Sequence, residues 1–508
     1  MINLNHLAVK LAMGMDITAS VAEQEVERLF RAFLPGTPFE GKMFIVGGYV
    51  RDEYLKQITK DEKIEPKDLD IVVDSTKTTS EQATKFIADH FNKISPESIS
   101  TPRKMGAAYP IWQIVFKTNI EFKGETYHTK GAQIEFADSQ KEHFPDPASR
   151  QRVTEPGTIH EDILRRDFTI NMMLKDLTTG EIKDFTGRSK KDIEKGLITG
   201  HPDVSLDDMF SNDPLRMIRA ARFQAKYGWT IPQYMKDAIK KNAHRIEIVS
   251  SERITEELKK VMKYGKLADT VRFMVETGLI KYISHEVEAL KGSEHSKLHH
   301  QEGDVLTHTL MVLDNTGPGI VSQMAALLHD VGKPATKEII EDKISNKGHE
   351  AVSGQIAEAV MTRLRFDGDD IKKVRRIVEN HMRPHSLARE IGRSGLSTKA
   401  IRKFIRDVGE DIVDAVLDLA RADELGKLPP TNAIPDLRKK IDEVRKQTPS
   451  VSKKPLLDGN EIMALGVPQG PRVKEIMKFV TDLEDDYIEK GKTLTKEEAS
   501  EKVREKFL

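Results

Sequence analysis

Apolar residues recur at helical spacing from 17 to 34 (ITASVAEQEVERLFRAFL) and stop at Pro35-Gly36, which predicts a helix closed by a breaker. The rhythm then changes. Between 43 and 185, short β-rich runs (MFIVGG, LDIVV, WQIVF, QIEFA) are set among turns and charged insertions, the pattern of a mixed sheet. From about 190 onward nearly every segment returns to helical period, including NDPLRMIRAARFQAKY, SERITEELKKVMKY, SQMAALLHD and IKKVRRIVENHM. The chain therefore reads as an α+β head followed by an all-α remainder, with linkers at 291–303, 426–435 and 447–455. It carries neither an internal repeat nor a low-complexity tract.

Composition narrows this picture. With 508 residues, 38% hydrophobic and 32% charged, the chain is long enough for several cores. Lys+Arg 80 against Asp+Glu 81 leaves a net charge of -1, so any nucleic-acid binding must come from local basic surface. The absence of cysteine excludes disulfides, thiolate metal sites and cysteine nucleophiles, and leaves His, Asp and Glu as metal ligands. Neither a signal peptide nor an apolar run of membrane-spanning length is visible, so the expectation is a cytoplasmic protein with no membrane partner.

Two constellations carry candidate chemistry. In MFIVGGYVRDEY (43–54) an apolar strand runs into Gly47-Gly48 and then a helix-compatible segment with Arg51, a possible phosphate cradle, though a diglycine after a strand is by itself an ordinary turn. Asp68-Leu69-Asp70 opens the next apolar run. Strand alternation would place both aspartates on one face, where they repel unless a cation lies between them. A bare D-x-D also suits an exposed strand edge. Glu135, between Ile134 and Phe136, offers a third carboxylate or a plain solvated position. The second constellation lies between 299 and 423, where histidines and acids cluster in HHQEGDVLTHTL, ALLHDVGKP, GHEAVSG, VENHMRPH and DLARADELG.

GGYVRD followed by DLD resembles the opening signature of the polymerase-β-like nucleotidyltransferases, specifically the tRNA CCA-adding and poly(A) polymerase class. DILRRDFTINMMLKD (162–176), DFTG (184–187), NDPLRMIRAARF (212–223) and SERITEEL (251–258) resemble further motifs of that family in the same order, and 456–477 resembles its tail. The stretch between Asp52 and Asp68 is longer than is usual there and reads as a charged loop insertion. The resemblance implies that Asp68 and Asp70, helped by Glu135, hold Mg²⁺ for catalysis. It also implies that Gly47, Gly48 and Arg51 hold phosphates, and that Arg165, Arg166, Asp167 and Asn171 hold the nucleotide. Asp213 and Arg216 would read the base, with Arg219 and Arg222 on the same stripe. Without the resemblance the default reading of that stripe is a solvated basic face, and Asn212-Asp213-Pro214 is a helix start with Asn as N-cap. Hydrogen-bond chemistry supports the base-reading pair: C and A both present an amino donor beside a ring-nitrogen acceptor, so a carboxylate next to an arginine suits both and repels G and U. Asn212 departs from the family, which has glutamate there.

His308, His329, Asp330 and Asp423 resemble the ligand set of the HD phosphohydrolase superfamily, with His349 and His381 where members with a second metal place extra ligands. Such a set suits Mn, Ni, Co, Fe or Zn. The implied organisation is an amino-terminal helix (1–40), a nucleotidyltransferase head (41–187), a helical neck and body (188–290), an HD domain (291–430) and a helical tail (431–508). The implied function is CCA addition to the tRNA 3′ end from CTP and ATP. Lys236 to Lys266 would meet tRNA phosphates, or form a solvated helix face. Alternatives are a poly(A) polymerase, an enzyme adding only CC or A, an HD phosphohydrolase with an inactive RNA-binding head, and an RNA-binding scaffold. The oligomeric state and the role of 480–508 stay open.

Overall fold

The structure, a computed structural model, describes residues 19–106, 111–143, 153–294, 303–341, 343–393, 395–447 and 456–508. The linker expected at 447–455, most of that at 291–303 and the amino-terminal segment read for targeting signals therefore lie almost wholly outside the described residues. The chain divides into two compact units, 1–249 and 250–508, and the stretch expected to form neck and body contributes to both.

In the first unit the strands are β1 (Met43–Val46), β2 (Asp70–Val73), β3 (Arg103–Met105), β4 (Ile111–Val115), β5 (Ile120–Phe122), β6 (Glu125–Tyr127), β7 (Gln133–Asp138), β8 (Gln140–His143), β9 (Val153–Pro156), β10 (Met173–Asp176) and β11 (Ile182–Asp184). Seven of them form one mixed sheet in the order β11-β10-β1-β2-β7-β4-β3, while β5-β6 and β8-β9 are separate hairpins. The central β1 and, beyond Asp70, β2 are apolar on both faces because both faces are covered, as expected of inner strands. Phe44, Val46, Val72 and Leu174 pack on Ile159, Ile163 and Met172. Phe30, from the helix Ala19–Phe33, lies against Phe116 and Phe136 at ring separations of 6.2 and 6.3 Å. β2 and β7 pair in parallel with Asp70 opposite Glu135. A buried ionic knot fixes the helix Gly48–Thr59 that follows β1: Lys175 reaches Glu53 at 2.6 Å and Glu27 at 2.5 Å, and the Tyr49 hydroxyl donates to Glu27.

Helices dominate the rest of the chain, as the periodicity predicts, with one addition: Glu338–Ile340 and Lys343–Ser345 form an antiparallel hairpin inside the second unit. The end of the chain has its own apolar cluster, Leu457, Ile462, Val467, Ile476, Val480, Leu494, Ala499 and Val503. The helices Thr398–Val408 and Pro471–Glu489 are joined by Arg402 and Arg406, whose guanidiniums both bond Asp485.

Two local expectations are corrected. The strand does not begin at Asp68. Asp68 has a left-handed backbone (φ +62°), its carbonyl accepts the Asp70 N–H at 2.9 Å, and β2 starts only at Asp70. Asp68 and Asp70 are nevertheless both exposed while Leu69 and Ile71 are buried. Likewise Asn212 is not an N-cap. Ser205 accepts the Asp208 N–H and starts a helix, Leu206–Asn212, that ends there. Pro214 disfavours helical backbone at the residue before it, so Asp213 (φ −139°, ψ 89°) becomes the joint and Pro214 caps the next helix, Leu215–Tyr227.

Candidate active site and metal centre

Gly47, with φ +75°, makes the turn from β1 into the helix, a conformation that favours glycine. The following turn presents Arg51 inward. This guanidinium is 5% exposed and is already engaged: Nε donates to Asp52 Oδ1 (2.8 Å) and Nη1 to Asn171 Oδ1 (2.6 Å), and it lies 5.0 Å from the Tyr227 ring centre. Tyr227 donates its hydroxyl to the same Asp52 oxygen. Asn171 in turn donates to Asp167 Oδ1 (2.9 Å), which also accepts the Phe168 N–H, while Asp167 Oδ2 takes the Arg219 guanidinium through Nε (2.8 Å) and Nη2. Burial would raise the Asp167 carboxyl, but Arg219 and Asn171 outweigh it and hold the group well below the usual carboxylate range. One continuous network, Asp52–Arg51–Asn171–Asp167–Arg219, thus ties together three segments far apart in sequence.

Arg165 and Arg166 share Asp162, a fully buried carboxylate in the helix Ile159–Leu164, at 2.7 and 2.8 Å; Arg165 also meets Glu142 at 3.2 Å. Arg216 is 8% exposed and its guanidinium is held by main-chain carbonyls of Met209 (3.2 Å) and Arg165. Arg222 covers the Phe223 ring at 4.2 Å. Burial pulls the Arg216 guanidinium below its usual value, and Asp213, at the helix joint, opposes that shift.

At the carboxylate cluster, the Asp70 carboxyl is pushed up to about 6, by burial first and then by Glu135 and Asp68, with Arg166 opposing. Asp70 keeps open surface to solvent, so this is the desolvation of a crowded cleft rather than of a core. Mutual repulsion among acids that cannot separate is the electrostatic condition a hard divalent cation relieves, and oxygen donors are its preferred ligands. Sequence reasoning missed Glu23, which lies in the same cluster and feels both Asp68 and Asp70. Nothing in the local sequence signals it, because it comes from the helix before the sheet.

The second unit holds two sets of buried groups whose ligand atoms lie within 4.8 Å of one another: His308, His329 and Asp423, and Asp330, His349 and His381. They come from the helices Val305–Asp314, His349–Arg363 and Val413–Leu425 and from the ends of Ile320–Leu328 and Gly368–Asn380. Asp330 connects the sets: its Oδ2 is 3.2 Å from His329 Nε2 and its Oδ1 3.1 Å from His349 Nε2. His308 Nε2 meets Asp423 Oδ1 at 2.8 Å. His329 Nε2 is buried without a well-formed hydrogen bond, which fits an atom reserved for a metal. Burial would raise both carboxyls, but the charges of His329 and Lys333 beside Asp330, and of Lys427 with the His308 bond at Asp423, hold both well below the usual range. Burial and the neighbouring His329 push His381 well below the usual histidine value, so it is neutral and able to ligate. Three groups unmarked by the sequence reading border the centre: Lys333 on Asp330 (2.6 Å), and Lys427 (2.5 Å) and His385 (2.7 Å) on Asp423.

Comparison with known proteins agrees with this division. The poly A polymerase head domain matches residues 43–199, the probable RNA and SrmB-binding site of polymerase A 228–290, and the HD domain 305–427. The chain is similar to the CC-adding tRNA nucleotidyltransferase of Thermus thermophilus, 27% identical over 356 residues that cover 68% of this chain and 76% of the relative. It is also similar to the A-adding tRNA nucleotidyltransferase of Deinococcus radiodurans, 27% identical over 350 residues, 64% of this chain and 75% of the relative. The fold matches the Bacillus stearothermophilus CCA-adding enzyme crystallised with CTP, at a TM-score of 0.59 and 19% identity over 92% of this chain and 93% of the other. Among the described residues no helix is long and apolar enough to cross a membrane. A polymerase head, an RNA-binding segment and an HD domain, in that order on one chain, make this protein a member of the tRNA CCA-adding enzyme and poly(A) polymerase family.

Proposed function

We propose that the protein adds CCA to the 3′ end of tRNA in the cytoplasm, taking CTP and ATP as substrates. The observation that carries this reading is the meeting, in one unit, of the Asp68, Asp70 and Glu135 carboxylates with Arg166, next to the network that joins Arg51, Asn171, Asp167 and Arg219. Asp68 and Asp70, with Glu135, would hold Mg²⁺, which when bound supplies charge neutralisation for the triphosphate and for the attacking 3′ oxygen. The Gly47-Gly48 turn offers main-chain N–H groups to phosphate at the start of the helix. Arg165 and Arg166, tethered by Asp162, present their outer edges to the nucleotide. Asp167 and Asn171 act by holding Arg219 and Arg51 in place. Asp213, at a joint that is not helical, and Arg216, fixed by two carbonyls, form the acceptor and donor pair that suits C and A.

The test is incubation of the purified protein with tRNA lacking its terminal CCA and each NTP singly and together. Two residues from CTP followed by one from ATP are expected. Long tails from ATP alone, without use of CTP, overturn the reading; addition of only CC or only A narrows it to a partial activity.

A second activity, metal-dependent phosphoester hydrolysis, is favoured by the two convergent ligand sets of the HD domain. His308, His329, Asp423 and Asp330, with His349 and His381, would hold a transition metal such as Mn, Ni, Co, Fe or Zn. Asp330→Ala is expected to abolish transition-metal content and hydrolysis of cyclic nucleotide phosphodiesters while leaving nucleotide addition intact. Hydrolysis unaffected by Asp330→Ala rejects it.

A further inference from the structure

Arg51 and Asp52 are consecutive residues of the helix Gly48–Thr59, and neighbouring side chains on a helix point about 100° apart and do not face each other. Their bond, Arg51 Nε to Asp52 Oδ1 at 2.8 Å, therefore needs a group outside the helix to hold the two together. Tyr227, the last residue of the helix Leu215–Tyr227, supplies it. Its hydroxyl donates to the same Oδ1 at 2.9 Å, and its ring centre lies 5.0 Å from Arg51 Cζ, within the range of a cation–π contact. The other oxygen, Oδ2, faces Lys226 at 3.9 Å, beyond hydrogen-bond reach. Tyr227 is itself held. Trp229 stacks on it with ring centres 4.6 Å apart, and packs so closely on Gly196 that an added Cβ there would stand 3.0 Å from the indole. The Thr230 N–H donates to the Gly196 carbonyl (2.8 Å) and the Thr230 carbonyl accepts the Ile198 N–H (3.0 Å), which fixes the turn that carries the indole. What the arrangement leaves over is Nη2 of Arg51. Asp52 takes Nε and Asn171 takes Nη1, whereas among the described residues Nη2 meets no acceptor and lies beside Gly48, where an added Cβ would stand 3.3 Å from it. A guanidinium is a rigid fork, so fixing two of its nitrogens aims the third.

We propose that Tyr227 is a positioning residue for nucleotide addition, whose hydroxyl holds Asp52 on Arg51 Nε and whose ring backs the guanidinium, so that Nη2 is presented beside Gly48 to the triphosphate; this rests on the reading of Arg51 as a phosphate ligand. Without the hydroxyl the Asp52 carboxylate is free to swing away from its neighbour, and Arg51 keeps only the Asn171 bond to set its direction.

The experiment uses the full chain and two competitors of CTP incorporation: inorganic pyrophosphate, which probes the phosphate subsite, and cytidine, which has no phosphate. Tyr227→Phe keeps the ring and removes one hydrogen bond to a charged group. It is expected to weaken inhibition by pyrophosphate about fivefold and to raise KM for CTP about equally, with inhibition by cytidine unmoved. In Asp52→Ala, where the hydroxyl has no carboxylate to hold, Tyr227→Phe is expected to add nothing to either. Pyrophosphate inhibition of Tyr227→Phe equal to the parent's, an equal loss for pyrophosphate and cytidine, or the same effect of Tyr227→Phe with and without Asp52 overturns the positioning role. Arg51→Ala is the control for the underlying reading: if it leaves pyrophosphate inhibition unmoved, Arg51 is not a phosphate ligand. The urea midpoints of the parent, Tyr227→Phe, Asp52→Ala and the double variant, followed by tryptophan fluorescence, then still decide whether Tyr227 holds Asp52. Tyr227→Phe is expected to lower the midpoint only where Asp52 is present, and an equal change in both backgrounds overturns that hold.

Discussion

Asn171 occupies the middle of the network, and two substitutions there separate its hydrogen bonds from its charge. In Asn171→Leu the side chain keeps its volume, but Arg51 loses an acceptor at 2.6 Å and Asp167 a donor at 2.9 Å. Each is a bond to a charged group worth about 1.5–3 kcal/mol, and since both charges keep other partners the lower end applies, about 3 kcal/mol in all. In Asn171→Asp the bond to Arg51 survives, while a second carboxylate faces Asp167 across the former amide contact. At an effective dielectric of about 20 and a separation of about 4 Å the repulsion is about 4 kcal/mol, partly offset by the stronger bond to Arg51, for a net cost of about 2–3 kcal/mol. That repulsion raises the pair's folded-state pKa above the unfolded value of about 3.9. The cost is therefore complete above the raised value and shrinks as pH falls through it, whereas the cost of Asn171→Leu is the same at every pH. Both tryptophans, Trp112 and Trp229, lie in the unit 1–249, and Trp229 stacks on Tyr227 at 4.6 Å, so tryptophan fluorescence follows unfolding of this unit alone. Urea titrations of the three proteins between pH 5 and 8 make the comparison. Equal stability of all three, or an Asn171→Asp cost that does not diminish toward pH 5, refutes the assignment of the network as charge-coupled.

Gly48→Ala places a methyl 3.3 Å from Arg51 Nη2; it is expected to slow CTP incorporation about tenfold by displacing a group in hydrogen-bonded register, with unfolding midpoint nearly unmoved. Asp485→Ala leaves Arg402, 1% exposed, without its carboxylate, an expected loss of about 3–5 kcal/mol read as faster amide exchange in the helices Thr398–Val408 and Pro471–Glu489. Asp162 and Asp167 are both held below their ordinary values despite burial, Asp162 by Arg166 and Arg165, Asp167 by Arg219 and Asn171. The stability they contribute is present above about pH 4 and lost as pH falls through the lower folded values, so stability read by fluorescence-detected urea unfolding should fall less between pH 7 and acid pH in Asp162→Asn than in the parent.

Much of the candidate site was legible because its motifs are short and self-contained. A diglycine after an apolar run, a D-x-D and an Arg-Arg-Asp triplet are visible without knowing what they touch. What stayed hidden is long-range or conformational. The pairing of Asp70 with Glu135 depends on a parallel register between strands 60 residues apart, which no local pattern encodes. Arg51 looks like a phosphate ligand in sequence, yet the fold spends two of its donors on Asp52 and Asn171, because a buried guanidinium must be satisfied wherever it lies. The N-cap expected at Asn212 falls two residues later, at Pro214, since Ser205 had already started another helix and Pro214 could only interrupt it.

The metal centre carries a regularity that a sequence could show to a reader who looks for it. His329, His349 and His381 each direct Nδ1 to the carbonyl three residues earlier, Ala326 at 2.8 Å, Asn346 at 2.8 Å and Val378 at 2.7 Å. A carbonyl can only accept, so each Nδ1 carries a proton and Nε2 is the nitrogen turned toward the centre. His329 and His381 follow immediately on the last residues of Ile320–Leu328 and Gly368–Asn380, and His349 is the first residue of its own helix. The last carbonyls of a helix have no partner within it. His329 and His381 each satisfy one of these, while His349 takes the Asn346 carbonyl in the turn before its own helix, and each ring is thereby fixed in orientation. Two helix C-termini and the turn before a third helix thus form the scaffold for these ligands. His308, inside its helix, turns Nδ1 to the Gly426 carbonyl at 3.3 Å, on the segment that follows Asp423. The placement of this one ligand therefore depends on the helix that brings the final aspartate, and the other three are set by their own turns.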